Sequence, residues 1–331
     1  MHFTVSTILS GRFSRLAGLA VLGLTALAFS TSPATAQDEG ASAATARPGL
    51  QLDVITVRAR KFDENLQDTP VTLTAIDQNV IDDARLEDFQ DFLFLVPGAT
   101  FDQTRFNSNQ TIVLRGVQGA PEELAEPGFG LYRDGAYYGG SRTNFGQFID
   151  VESVEVLRGP QGGIFGRNAV GGAMNIRFNK PDPDGGFYGS AEIGYARYDE
   201  VDLEFIANVP IVEGKFAARA VAWYTNRKGG EYFNVTLGEE LDKMEDKGGR
   251  IAFYFEPTDN FDVTFTAEAQ STEGPEGLHF FPEPSYFNPE GETKKTIRRD
   301  TLSETESDFR YFSAEANWET DIGTFTLIGS Y

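Results

Sequence analysis

Much of residues 188–331 repeats one pattern: apolar side chains at alternate positions, with polar or charged ones between them. In YGSAEIGYARYDE and VDLEFIANV, one set holds Ala191, Ile193, Val201, Leu203, Phe205, Ala207 and Val209. The other holds Ser190, Glu192, Asp202, Glu204 and Asn208. Farther on, Phe261, Val263, Phe265, Ala267 and Ala269 alternate with Asp262, Thr264, Thr266, Glu268 and Gln270. Phe312, Ala314, Ala316 and Trp318 alternate with Tyr311, Ser313, Glu315 and Asn317. Successive side chains of a strand point to opposite faces, so these segments read as strands of about ten residues with one apolar and one polar face. A soluble β-sandwich shows the same alternation. Two further features favour strands that cross a membrane. Aromatics sit near strand ends (Tyr195, Trp223, Tyr224, Phe255, Trp318), and short turns (PIVEG, EPTDN, TDIG) alternate with long polar loops at residues 228–249 and 273–307.

The N-terminus agrees with export. Arg12 and Arg15 precede an apolar run from Leu16 to Phe29, and Ala34-Thr35-Ala36 supplies a small-x-small cleavage site, so residues 1–36 read as a cleaved signal peptide. The run is shorter than the ~20 residues a spanning helix needs. The exported chain contains no cysteine, so disulfides contribute nothing to its stability. A net charge of −22, which loss of the leader's two arginines takes to −24, argues against a nucleic-acid partner. His279 is the one histidine after the leader, which disfavours His-based catalysis or a His-rich metal site. No G-x-S-x-G or H-E-x-x-H motif is present, so an enzyme is not expected.

Residues 37–51 are small and polar and read as a flexible linker. The β-prone LDVITVRARK follows, residues 52–60 forming a box that either joins its own domain or lends a strand to a partner. Residues 61–180 read as a compact mixed domain. PVTLTAID, TIVLRGV, GFGLYRDGAYYG and VESVEVLRG are expected strands. LEDFQDFLFLVPG is an expected helix burying Leu86, Phe89, Phe92 and Leu93 and ended by Pro97-Gly98. The next run, RGPQGGIFGRNAVGGAMNI, is rich in glycine but has neither P-loop nor dinucleotide spacing. PDPDGG at 181–186 breaks the pattern, and residues 185–331 carry the alternating strands.

This order of leader, short box, RGPQG-type domain and alternating strands resembles the TonB-dependent outer-membrane receptors. VEVLRGPQGGIFGRNAVGGAMNI is similar to that family's motif at the end of its plug, and FDENLQDTPVTLTAI to the plug's opening segment. The resemblance implies an α+β plug domain followed by antiparallel transmembrane β-barrel strands, the barrel incomplete in this chain. Asp53, Val54, Ile55, Thr56 and Val57 would form the TonB box and pair with the periplasmic protein TonB. Arg115, Gly116, Arg158, Gly159, Pro160, Gly162, Gly166, Arg167, Asn168, Gly171 and Gly172 would be the plug motif residues. Two departures stand out: Arg133 replaces a usual apolar residue, and Gly163 a usual Thr, Ser or Ala.

A plug inside a barrel needs glycines for tight turns, and its buried arginines need acidic partners. Glu192, Asp202, Glu204 and Glu268 are the candidates for Arg115, Arg158 and Arg167. The implied function is energised uptake of a scarce ligand, most often a ferric siderophore, across the cell outer membrane. The implied partners are TonB, outer-membrane lipid and a small chelate, with no cofactor. The alternatives are a passive porin-like or structural barrel, or a non-functional fragment of a transporter. Only about 150 residues follow Pro181, enough for roughly seven strands. Plugged transporters use 22 strands, so a fragment is the expectation. Residues 37–51 also leave no room for a folded signalling domain before the box.

Overall fold

The computed structural model describes residues 3–10, 56–57, 64–65, 72–86, 88–103, 110–118, 128–138, 148–166, 168–230, 232–275, 295–298, 300–301 and 304–331. In chain order, the first elements are β1 (Phe3–Ser10), β2 (Thr56–Val57), β3 (Glu64–Asn65), β4 (Leu73–Asp77), α1 (Gln78–Ala84), α2 (Phe89–Phe94), β5 (Ala99–Gln103) and β6 (Gln110–Leu114). Then come β7 (Val117–Gln118), β8 (Phe129–Arg133), β9 (Ala136–Tyr137), β10 (Val151–Arg158), α3 (Gly162–Phe165) and β11 (Gly172–Phe178). The long strands are β12 (Tyr188–Ala196), β13 (Glu200–Val212), β14 (Phe216–Arg227), β17 (Met244–Thr258), β18 (Phe261–Pro275), β20 (Glu304–Thr320) and β21 (Gly323–Ser330). Between them lie short β15 (Tyr232–Asn234), β16 (Glu239–Glu240) and β19 (Lys295–Ile297).

The N-terminal domain is a mixed sheet in the order β4-β10-β11-β8-β9, in which only the β11–β8 pair is parallel. α1 and α2 each begin where an aspartate can bond the free amides of the first turn. Asp77 accepts from Val80 N at 3.0 Å, and Asp88 from Asp91 N at 2.9 Å. α2 buries Phe89, Phe92 and Leu93 beside Leu86, as their spacing requires, and it stops at Leu95, shortly before Pro97 and Gly98. Phe89 meets Phe148 edge-on at 4.7 Å, and Val154, Val156 and Met174 complete a core with no solvent contact.

Two expected strands are in fact hairpins. In TIVLRGV the chain reverses at Arg115 (φ 52°) and Gly116 (φ 77°), pairing Leu114 with Val117. In GFGLYRDGAYYG it reverses at Asp134 (φ 46°) and Gly135 (φ 79°), pairing Arg133 with Ala136. Two consecutive residues with positive φ make the tight turn whose twist suits a two-residue hairpin, and x-Gly is its usual sequence. α1, absent from the sequence expectations, follows β4 directly from its Asp77 cap.

The second domain is an antiparallel meander, β12-β13-β14-β17-β18-β20-β21, so among the described residues seven strands of one sheet follow Pro181, in line with the rough count from sequence, and short β15, β16 and β19 form a small sheet of their own. The alternation falls on the expected faces. Ile193, Leu203, Phe205, Phe265, Phe312 and Trp318 are 42–58% exposed, whereas Asn208, Arg219, Asp246, Arg250, Glu268 and Glu315 are at most 8% exposed. Apolar residues outside and charges inside reverse the pattern of a soluble domain and suit a sheet with lipid on one side. The three turns at 213–215, 259–260 and 321–322 are short. β13, β14, β17, β18 and β20 run 12–17 residues, longer than the ten expected and longer than the 9–11 residues a membrane-crossing strand needs. Trp223 is not an outer aromatic: it faces inward at 5% exposure.

The described sheet is not closed. β1 pairs antiparallel along the free side of β12, with Phe3 opposite Tyr195 and Ser10 opposite Tyr188. An unpaired strand edge presents a row of free N–H and C=O groups that any β-capable segment can satisfy. Among the described residues no helix is long and apolar enough to cross a membrane, which says nothing of strands.

Candidate functional site

The glycine-rich run forms the link between β10 and β11. Gly159 N donates to Gly171 O at 3.0 Å and Gln161 N to Ala169 O at 2.8 Å, closing a loop around the single turn α3. Tyr132 Oη donates to Phe165 O at 2.7 Å, and Asn168 Nδ2 to Tyr137 Oη at 2.7 Å, so the loop is fastened to the β8–β9 hairpin. Gly172 has φ 153°, and a Cβ there would lie 2.4 Å from Leu157 O and 2.6 Å from Leu114 Cδ2. Only glycine fits such an approach.

The charge of this domain is spent elsewhere. Asp150, at the mouth of β10, accepts from Arg219 Nε at 2.7 Å and Arg219 Nη2 at 2.6 Å, a two-point contact with an inward residue of β14. Arg219 also donates to Tyr188 Oη. On β17, Arg250 Nη2 donates to Ile149 O at 2.9 Å and reaches Asp150 Oδ2 at 3.3 Å. Its Nη1 lies 3.5 Å from Glu268 Oε2, directly across the strand pair. Glu268 in turn accepts from Arg133 Nη2 at 2.6 Å. Tyr188, Arg219, Asp150, Arg250, Glu268 and Arg133 thus form one connected chain between the N-terminal domain and the sheet wall. Lys180–Glu315 at 2.8 Å and Arg85–Glu192 at 3.1 Å are further contacts across it.

Arg133 sits in an aromatic cage. Its Cζ lies 4.5 Å from the centre of the Phe178 ring, 5.0 Å from Tyr138 and Tyr311, and 5.6 Å from Phe309. Arg250 covers the Phe178 ring at 4.0 Å. Aromatic faces are electron-rich and attract a flat cation. Burial alone would favour the neutral form of Arg133, but Glu268 overrides it and holds the guanidinium charged, above its ordinary range. Next to it, burial raises the Asp134 carboxyl. Its bond from Phe178 N at 3.0 Å and the nearby Lys180, Arg133 and Arg250 offset this only in part.

The expected pairing of motif arginines with barrel acids takes a different form. Arg158 donates to Pro97 O at 3.4 Å, Arg115 is exposed at its turn, and among the described residues neither pairs with a barrel acid. Arg167 lies outside the described residues. Two of the acids named from sequence do receive arginines of the N-terminal domain: Glu268 takes Arg133 and Glu192 takes Arg85. The polarity is also reversed at Asp150, an acid held by two barrel arginines. Arg219 and Arg250 stand at inward positions of AARAVAW and GRIAFYF, and that parity was the available signal for them. Asp150 carried none. In the expected box, Asp53, Val54 and Ile55 lie outside the described residues. Thr56 and Val57 pair with Asn65 and Glu64 in a two-residue ladder. Among the described residues no group of three or more acidic, His or Cys side chains could hold a metal.

Residues 65–173 match the family described as TonB-dependent Receptor Plug Domain. The pesticin receptor of Yersinia pestis is 26% identical over 263 residues, covering 79% of this chain and 37% of that protein. The catecholate siderophore receptor Fiu of Escherichia coli K12 is 32% identical over 148 residues, 44% of this chain and 18% of that one. The chain therefore spans well under half the length of these relatives. Among solved structures, the ferric yersiniabactin uptake receptor FyuA from Yersinia pestis superposes with a TM-score of 0.67 at 23% identity, over 78% of this chain and 40% of that one. The ferripyoverdine receptor of the Pseudomonas aeruginosa outer membrane gives 0.66 at 18% identity, over 83% and 36%. At these identities the structural likenesses bear on the fold: a mixed domain joined to antiparallel barrel strands.

Proposed function

We propose that the chain, whose residues 65–173 match the TonB-dependent receptor plug domain, is the plug and first barrel strands of an outer-membrane importer for a ferric siderophore. The observation that carries this reading is the charged contact between plug and barrel wall, with Asp150 held by Arg219 and Arg250 and Arg133 by Glu268. Buried ion pairs contribute little net stability against an apolar contact, yet they fix one arrangement and cost much when one partner alone is lost. Such a contact seats a domain firmly and can re-form after displacement. The relatives' names supply the ligand class: a catecholate siderophore for one and ferric yersiniabactin for another.

Energy enters through residues 53–57. In this reading TonB adds a strand to the box, since main-chain hydrogen bonds hold an extended segment under load with little demand on sequence. The short Thr56–Val57 ladder with residues 64–65 gives way to that pairing. Residues 1–36 are the export leader. The test is Ile55→Pro in the intact receptor, followed by uptake and surface binding of radiolabelled ferric siderophores in cells. Proline removes a donor from the new ladder, so uptake falls to the level of a strain lacking TonB while surface binding stays unchanged. Undiminished uptake would sink the box assignment. Absence of iron-chelate binding by the unaltered receptor would sink the ligand class.

A further inference from the structure

The PDPDGG segment at 181–186 has the composition of a loose tether, yet in the fold it is bonded to the wall. Asn208, an inward residue of β13 with no solvent exposure, makes three hydrogen bonds to its backbone. Asn208 Nδ2 donates to Asp182 O at 2.9 Å and to Gly186 O at 3.2 Å, and Asn208 Oδ1 accepts from Asp182 N at 2.9 Å. A side-chain amide both donates and accepts, so Asn208 pairs with the segment as a neighbouring strand does. The segment is also braced from within. Asp182 Oδ1 accepts from Asp184 N and Gly185 N, both at 2.9 Å, and Gly186 turns the chain at φ 74°. Gly214 N, in the turn after β13, donates to Pro183 O at 3.3 Å. Asn208 stands opposite Tyr188 on one side and Arg219 on the other, so one row of wall residues carries both this contact and the Asp150 contact.

We propose that Asn208 anchors the exit of the plug: it holds residues 182–186 on β13 and keeps them there while the rest of the plug is displaced. The purpose of the anchor rests on the importer reading; its geometry does not. A hinge has few contacts and little local stability, whereas this segment is bonded at Asp182, Pro183 and Gly186. Without the anchor, the plug joins the wall only where β12 begins at Tyr188. With it, the fixed point lies at Asp182, and the residues between are taken out of the free tether. Re-seating of a displaced plug is intramolecular, and its effective concentration falls as the free tether lengthens. The anchor therefore returns the plug to one place, beside the Asp150 contact in the same row. Asn208 is a positioning residue, acting through the segment it holds.

The test uses the intact receptor and has two arms. In detergent, Asn208→Ala should quicken amide hydrogen exchange of residues 182–186 roughly 5- to 100-fold, the range for buried groups deprived of a partner. In cells, cysteines replace the exposed Asp184 and Glu213, and a short bis-maleimide joins them. The two positions are close, since Asp184 Oδ1 lies 3.5 Å from where a Cβ on Gly214 would stand. The cross-link fixes the segment covalently, so uptake of radiolabelled ferric siderophores should equal that of the unjoined cysteine pair. Asn208→Ala should lower uptake with surface binding unchanged, and the cross-link should restore it. General damage to the fold is not repaired in this way. Loss of uptake on cross-linking, failure of the rescue, or exchange unaltered by Asn208→Ala would overturn the proposal. Should Asn208→Ala fail to insert, Asn208→Ser and the cross-link beside an intact Asn208 decide. An unaltered receptor that takes up no ferric siderophore would sink the importer reading instead, and the exchange arm then decides the anchor.

Discussion

Replacing Asp150 by Asn changes one charge at the plug–barrel contact and little else. Asp150 has φ 64°, a conformation that Asn tolerates as well as Asp. Asn Oδ1 can keep the bond from Asn179 Nδ2, now 2.9 Å long. What is lost is the carboxylate between Arg219 and Arg250, both 6% exposed. The connected chain holds three arginines against two acids, and the variant leaves three against one. Breaking a buried ion pair from one side costs ~3–5 kcal/mol. Asn retains a neutral hydrogen bond to Arg219, so the lower end applies, ~3 kcal/mol, or roughly 100-fold in the population of a displaced plug. Hydrogen exchange of residues 148–158 in the intact receptor reads that opening directly. The double variant with Arg219→Gln separates this from general damage. Once Asp150 is neutral, the second change should cost at least ~1.5 kcal/mol less than it does alone. Exchange within a few-fold of the unaltered protein, or strictly additive single effects, would refute the view that this pair seats the plug.

Two further outcomes follow from the same region. Asp134 has a folded-state carboxyl pKa above its ordinary 3.8, so its contribution to stability is fully present below about pH 4 and is lost as pH rises through the elevated value. Asp134→Asn keeps the positive-φ turn and should abolish this acid-range decline in urea titrations followed by plug fluorescence; an unchanged pH slope would count against it. Gly172→Ala places a methyl 2.4 Å from Leu157 O at φ 153°, a clash and a strain together, for which more than ~3 kcal/mol is expected. Protease resistance of the plug should be lost, whereas Gly162→Ala, with open space around it, should retain it.

How much was legible follows from where the information sits. Strand faces in the second domain could be read because alternation has a period of two and each residue answers independently to lipid or lumen. Phe205, Phe265 and Trp318 fell outside and Glu268 and Glu315 inside, as read. α2 was legible from Phe89, Phe92 and Leu93. α1 was not, since only Ile81 of its seven residues is buried and the apolar period is missing. The two hairpins were hidden inside continuous β-prone runs, although Arg115-Gly116 and Asp134-Gly135 carried the turn signal.

The sequence by itself determined a family plug motif, a run of amphipathic strands and the parity that sends charges inward, because these depend on neighbours along the chain. Tertiary structure decided the partners. Asp150 meets Arg219 and Arg250 across 69 and 100 residues, and Arg133 meets Glu268 across 135. A charge in a strand announces only that it needs compensation. Which opposite charge supplies it depends on how a second domain is seated against the wall, and no local pattern in either segment encodes that distance.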